Sequence, residues 1–260
     1  MLPNLLKIEP YISKPVTKIS PEAFEKLTRL GRGGFSKVYL VRKKDTGKLY
    51  AMKVIKRNLA SKWSGELVKR EFKILKDLDH PSIVKLYYSF STKNTYNIIM
   101  DYCPLGNLYA LIRKHHKINI PTILLYFAEI LEVLKYLHDN KIIFRDLKAE
   151  NILVDLHGHL KLTDFGLARS YDNSSMERFS YCGSPLYIAP EIVQRQVYDH
   201  SVDYYALGVL IYEMTEGIPP FNYNSSKKIK QAKIQQEVDF PLSFNPDLKE
   251  MVKKLLAKVF

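Results

Sequence analysis

Phe144-Arg-Asp-Leu-Lys-Ala-Glu-Asn151 is followed along the chain by Thr163-Asp-Phe-Gly166 and then Ala189-Pro-Glu191. The text around this stretch changes period. Upstream, Lys26–Leu30, Lys37–Arg42 and Leu49–Lys56 read as short strands broken by Gly-rich or Asp-Thr-Gly turns, and Ile83–Phe90 and Tyr96–Asp101 read as two more. Ser64–Leu78 reads as a helix with Leu67, Ile74, Leu75 and Leu78 on one face. After about Cys103 the period is helical: Pro121–His138 is amphipathic, and Val202–Met214 is apolar almost all round, as a buried helix is. The predicted architecture is α+β, a small β-rich lobe followed by a helical lobe. The join falls near Asp101–Asn107, and the cleft between the lobes is the expected ligand site.

Composition narrows the classes. The chain has 260 residues, 46% of them apolar and 12% aromatic, enough for a real core and too apolar for a disordered chain. Two cysteines cannot build a disulfide framework, which points to a reducing compartment, the cytoplasm or the nucleus. The longest apolar run, Tyr204–Tyr212, is far short of the roughly 20 residues of a membrane-spanning helix. The formal charge is +13, and all of the excess lies in residues 1–100, which hold 21 Lys/Arg against 8 Asp/Glu; residues 101–260 are balanced at 19 and 19. That asymmetry fits two bodies with different surfaces and solvated lysines on a small lobe. No DNA or RNA partner is expected.

Gly31-Arg-Gly-Gly-Phe-Ser-Lys-Val38 precedes a strand, where a dinucleotide-binding glycine motif would precede a helix, and it lacks the P-loop Gly-Lys-Ser/Thr. It remains either a hairpin whose backbone covers phosphates or a plain turn. Lys53 alternates onto the same strand face as Leu49, Ala51 and Ile55, while Glu71 shares the apolar helix face with Leu67 and Ile74. Two opposite charges aimed at apolar interiors either pair or snorkel outward.

Taken in order, the Gly loop, the Ala51-Met-Lys53 strand and the three motifs at 144–151, 163–166 and 189–191 resemble the eukaryotic protein kinase family from about Phe24 onward. The resemblance implies a bilobal kinase fold: a lead-in arm at 1–22, an N-lobe at 23–101, and a hinge and C-lobe at 102–260. It implies ATP and Mg²⁺ as cofactors. Lys53 would hold the α/β-phosphates and Glu71 would fix it. Asn151 and Asp164 would ligate Mg²⁺, Asp146 would take the substrate hydroxyl proton, and Lys148 would neutralise the γ-phosphate. Leu30, Gly31, Gly33 and Gly34 would cover the nucleotide. Val38, Ala51 and Leu153 would sandwich adenine, with Met100 and Thr163 inside the pocket and the backbone of Asp101 and Cys103 at the adenine edge. A packing spine would run through Leu75, Leu86, Phe144 and Phe165 to Asp203.

Lys148 and Gly183-Ser-Pro-Leu-Tyr187 resemble the Ser/Thr kinases. The His80-Pro-Ser-Ile-Val-Lys-Leu-Tyr-Tyr-Ser-Phe90, Tyr181-Cys-Gly-Ser-Pro185 and Asp203-Tyr-Tyr-Ala-Leu-Gly208 stretches resemble the AGC group, the cyclic-nucleotide-dependent and ribosomal-protein kinase relatives. The expected function is transfer of the ATP γ-phosphate to protein Ser/Thr, with basic residues before the target. Ser184, Glu150 and Glu213 fall at substrate-side positions, and Ser180 at the activation-loop phosphosite, where an upstream kinase would act and a phosphate would meet Arg145. The chain departs from the pattern in four ways. Ser36 stands at the third loop glycine, Asn107 where the group carries an acid, and two tyrosines follow Asp203. The C-lobe is also expected to be incomplete at its end: no Arg follows Arg195 to pair with Glu191. The alternative reading is therefore a weakly active or inactive kinase-fold scaffold that binds nucleotide.

Overall fold

The computed structural model describes residues 19–33, 36–57, 71–171 and 181–257. The lead-in arm up to residue 18, Gly34, Leu67 and Ser180 lie outside the described residues.

The β-propensity upstream of the hinge produces one antiparallel sheet of five strands in the order β1-β2-β3-β5-β4. They are β1 (Phe24–Arg32), β2 (Ser36–Lys43), β3 (Leu49–Lys56), β4 (Leu86–Ser91) and β5 (Thr95–Met100). Alternation along β3 splits the sheet's two faces between two cores. Ala51 and Ile55 join the main core. Tyr50 and Met52 join a separate cluster with Phe24, Val41 and Ile99. Helix α1, described over residues 71–77, sends Ile74 and Leu75 into the main core.

The helical lobe follows: α2 (Leu108–His115), α3 (Ile120–Asp139), α4 (Pro190–Val193), α5 (Ser201–Glu216), α6 (Ser226–Gln235) and α7 (Pro246–Leu255). Asn107, Asn119 and Asn245 each cap a helix by accepting from the amide three residues on, which satisfies a donor the first turn leaves open. Short antiparallel pairs, β6 (Ile142–Ile143) with β9 (Arg169–Ser170) and β7 (Ile152–Val154) with β8 (Leu160–Leu162), carry the site loops. α5 is enclosed along nearly all its length, as its composition predicts. Its Gly208 lets α7 approach: a Cβ there would lie 2.8 Å from Leu255 Cβ and 2.9 Å from a Leu256 methyl.

One strand differs from its sequence reading. The apolar run from Ile83 splits, with β4 starting only at Leu86. Residues 82–84 cross to the other lobe, where Leu162 donates to the Ser82 carbonyl at 2.8 Å and Val84 to the Leu162 carbonyl at 3.0 Å. The run is extended throughout, but its partner changes lobe midway, and periodicity carries no partner information.

Asp203 ties the helical lobe to residues 144–151. Its carboxylate, 1% exposed, accepts from the backbone of Phe144 at 2.9 Å and Arg145 at 2.8 Å, and from His138 Nε2 at 2.8 Å. Phe144 and Phe165 meet edge-to-face at 5.1 Å above it. Asp203→Ala should strip three buried donors of their acceptor, costing about 3 kcal/mol and lowering the thermal midpoint by ~6–12 °C. A melt that fell by less than ~2 °C would show that the anchor is dispensable.

Candidate active site

The upper half of the site is built on β3. Its register places Lys53 between Val38 of β2 and Ile98 of β5. The Lys53 ammonium donates to Glu71 Oε1 at 2.7 Å and to Asp164 Oδ1 at 3.1 Å. The pairing reading therefore holds over snorkelling, and a third partner arrives from 111 residues away in sequence. Burial pulls the Lys53 ammonium towards neutrality, but Glu71 and Asp164 together outweigh it and hold its pKa above the ordinary lysine value. Burial likewise works to raise Asp164, and Lys53 and Lys148 overcome it, keeping that carboxyl below the usual range. The Glu71 carboxyl moves the other way: burial, with Asp164 beside it, pushes it above the usual carboxylate range against the pull of Lys53.

Around this pair lie the residues expected to hold adenine. Ala51 and Met100 are buried and directly opposite each other in the β3–β5 register. Val38 and Leu153 are half-buried against the main core. Leu30 is exposed at the end of β1, Thr163 is half-buried, and Gly31 pairs with Val38. Gly33 donates to the Ser36 carbonyl at 2.9 Å. The linker is held from behind. Asp101 accepts from Lys85 N at 3.0 Å and Tyr87 OH at 2.9 Å, and pairs with Lys161 of β8 at 3.2 Å. Burial pushes the Cys103 thiol up to about 12, so it is inert at neutral pH.

The lower half is one closed polar network. Lys148 donates to Asp146 Oδ2 at 2.7 Å and to Ser184 Oγ at 2.9 Å, and Ser184 Oγ donates to Asp146 Oδ1 at 3.0 Å. Asn151 Nδ2 donates to Asp146 Oδ2 and to its carbonyl, both at 2.9 Å. Two residues in this region hold left-handed backbone, Arg145 (φ 68°) and Asp164 (φ 64°). Non-glycine residues adopt that conformation at a cost, and only where the surroundings impose it. At Arg145 the Asp203 anchor, the guanidinium bonds to the Leu167 carbonyl (2.9 and 2.7 Å) and the Tyr198 hydroxyl bond (3.1 Å) do so.

The donor set fits Mg²⁺. Asn151 spends its amide N–H on Asp146, which leaves its side-chain oxygen as a neutral donor, and its backbone carbonyl accepts from Thr163 N, next to Asp164, at 2.9 Å. Among the described residues no group of three His, Cys, Asp or Glu could form an all-protein metal cage. One carboxylate and one amide oxygen suit an ion that keeps several waters and binds phosphate oxygens as well.

On the substrate side, Glu150 is exposed beside the network, whereas Glu213 is 5% exposed and accepts from the Tyr187 hydroxyl. Tyr187 in turn accepts from Ala149 N at 3.3 Å, so Glu213 reaches residues 144–151 through a tyrosine. Burial, aided by Glu150 and opposed by Tyr187 and Arg113, pushes the Glu213 carboxyl up to about 7. Sequence reasoning leaves Glu191 without a cation, but the structure buries a lysine within its electrostatic reach. Lys233 of α6 is fully enclosed and Glu191 acts on it electrostatically. The signal for Lys233 in the sequence is slight: it lies four residues after Ile229, on the buried face of α6 with Ala232.

Comparison with known proteins agrees with this geometry. The family model described as "Protein kinase domain" matches residues 24–260. The chain is 38% identical over 242 residues to cAMP-dependent protein kinase type 3 of Saccharomyces cerevisiae, covering 93% of this chain and 60% of that protein. It is 40% identical over 238 residues to serine/threonine-protein kinase AtPK2/AtPK19 of Arabidopsis thaliana, covering 91% and 50%. It is 36% identical over 256 residues to human ribosomal protein S6 kinase alpha-1, covering 97% and 35%. The chain thus spans 60% or less of the length of these relatives.

The raised Glu213 pKa has a signed consequence. The folded state takes up a proton that the unfolded state, at the ordinary pKa of 4.5, does not hold between pH 4.5 and about 7. This group's contribution to stability is therefore full below pH 4.5 and lost as pH rises through 7. Thermal midpoints of Glu213→Gln and the parent chain should diverge progressively from pH 4.5 to 7, the variant gaining on the parent. Parallel curves across that range would refute the shifted carboxyl.

Proposed function

The chain belongs to the protein kinase family, and from that premise we propose that it is an ATP-dependent Ser/Thr protein kinase. The observation that carries the proposal is the Lys53–Asp164 contact at 3.1 Å, which joins the β3 strand to the loop after β8 and brings the two halves of the site face to face. Phosphoryl transfer needs little covalent work from the protein; it needs positioning and charge stabilisation.

The groups divide that labour by their chemistry. Lys53, kept charged by Glu71, binds the α/β-phosphates of ATP. Asp164 and Asn151 would hold Mg²⁺, which would supply charge neutralisation to the phosphates. Asp146, oriented through both oxygens by Lys148, Ser184 and Asn151, accepts the proton of the substrate hydroxyl. Lys148, 2.7 Å from Asp146, balances the charge of the phosphoryl group as it moves. Phe144 and Phe165, wholly buried, form an apolar floor beneath the site.

The proposal extends to the substrate. Exposed Glu150 presents negative charge beside the Asp146 network, which suits a target preceded by basic residues. Asn107, by contrast, is occupied in capping α2. An upstream kinase acting on Ser180 and a cytoplasmic or nuclear location belong to the same reading. No helix among the described residues is long and apolar enough to cross a membrane.

Incubation with γ-labelled ATP, Mg²⁺ and a basic Ser-containing peptide tests the proposal. Label should appear on the peptide serine, and Asp146→Asn should reduce the rate about 10²–10⁴-fold, the usual worth of a positioned base. Nucleotide binding without transfer in the parent chain would overturn the enzyme reading in favour of a nucleotide-binding scaffold.

A further inference from the structure

Lys233 is a cation with no exposure at all. Its ammonium donates to the Ile188 carbonyl at 2.9 Å and lies 4.9 Å over the Tyr205 ring and 5.8 Å from the Phe221 ring centroid. Burying a charge is unfavourable unless its partners compensate it. Glu191 eases that cost for Lys233, and the placement of the ammonium gives the lysine a further role. Ile188 ends a turn in which the Tyr187 and Ile188 amides both donate to the Ser184 carbonyl, at 2.9 and 3.0 Å. The Ser184 hydroxyl that begins this turn is bonded to Asp146 and Lys148. Three residues past Ile188 comes Glu191, buried, its carboxyl pushed up first by that burial and also by Asp199, and eased by Lys233.

We infer that Lys233 is a positioning residue: by holding the Ile188 carbonyl from α6 it fixes the turn 184–188, and through Ser184 the face of Asp146 at which the acceptor peptide is presented. The inference rests on Asp146 being the base of the proposed kinase reaction. Lys233 touches neither nucleotide nor the reacting atoms, so its effect falls on the peptide alone.

The chemistry of the pocket adds a pH signature. Burial lowers the Lys233 pKa to about 7, against the pull of Glu191. The groups facing it are Glu191 of α4, the Tyr205 hydroxyl of α5, which burial raises out of range, and the uncharged Phe221 ring. Between pH 6 and 8 the cation loses its proton and with it the attraction to Glu191. The peptide KM should rise over that range. Glu213 titrates near the same pH, but its contribution persists in Lys233 variants, so the difference between profiles isolates Lys233.

Lys233→Met keeps the volume and removes both the donor and the charge. At pH 6.5 its peptide KM should rise about tenfold, the scale of one lost charged hydrogen bond, with the ATP KM unchanged. Hydrogen exchange at the Tyr187 and Ile188 amides should accelerate by a similar factor, a reading that needs no activity. Glu191→Gln removes the carboxylate that keeps the proton on Lys233, so the KM step should move to lower pH; this variant decides the matter if Lys233→Met does not fold. An unchanged peptide KM with unchanged exchange, an ATP KM rising in step with the peptide KM, or a pH step unmoved by Glu191→Gln would overturn the role. If the parent chain transfers no phosphate at all, the kinase reading fails by itself, and the exchange rates still decide whether Lys233 fixes the turn.

Discussion

The carboxylate of Asp203 accepts from two consecutive backbone amides, Phe144 and Arg145, and from His138, in a setting almost without solvent. Everything in the lower half of the site descends from this contact. Two adjacent amides captured by one carboxylate leave the loop little freedom, and the left-handed backbone at Arg145 is held there by those bonds. From that fixed point the chain delivers Asp146, Lys148 and Asn151 in six residues to one polar cluster. Because α5, which carries Asp203, is buried almost all round, the anchor itself has nowhere to move.

The upper half is held by different physics. Lys53 is kept on the sheet by the β2–β3–β5 register and charged by its two carboxylates, one from α1 and one from the loop after β8. Its contact to Asp164 is the place where the small sheet and the helical lobe share a charge. A second tie lies at the linker, where Asp101 takes Lys161 from β8 as well as Tyr87 from β4. The lobes are thus related to each other by ion pairs at the front and back of the cleft, and by apolar packing between.

The sequence was most legible where local rules act alone. The β3 strand ends where alternation predicts, and α3 and α5 extend only one or two residues beyond the apolar pattern at each end. The Lys53–Glu71 pair followed from the cost of burying single charges. Legibility failed where a residue's partner lies far along the chain. Nothing local shows that residues 82–84 leave the sheet for β8, or that Asp164 reaches Lys53. The expected partner of a Ser180 phosphate, Arg145, already donates to the Leu167 carbonyl and Tyr198, while Ser180 itself lies outside the described residues. Glu213, placed by resemblance on the substrate side, is enclosed and meets the loop through Tyr187, a partner that nothing local in the sequence shows. Lys233 was hidden for the converse reason: a lysine on an amphipathic helix reads as polar-face residue until its neighbours are known.

The central claim is that these two halves form one Mg-ATP site with Asp146 at its acceptor end. A crystal structure of the chain with Mg²⁺ and a non-hydrolysable ATP analogue tests it most directly. The account predicts Mg²⁺ within about 2.1 Å of an Asp164 carboxylate oxygen and the Asn151 side-chain oxygen, with Lys53 on the α/β-phosphates and the terminal phosphate facing Asp146 and Lys148. Nucleotide bound elsewhere, or bound in the cleft with neither Asp164 nor Asn151 on the metal, would contradict it.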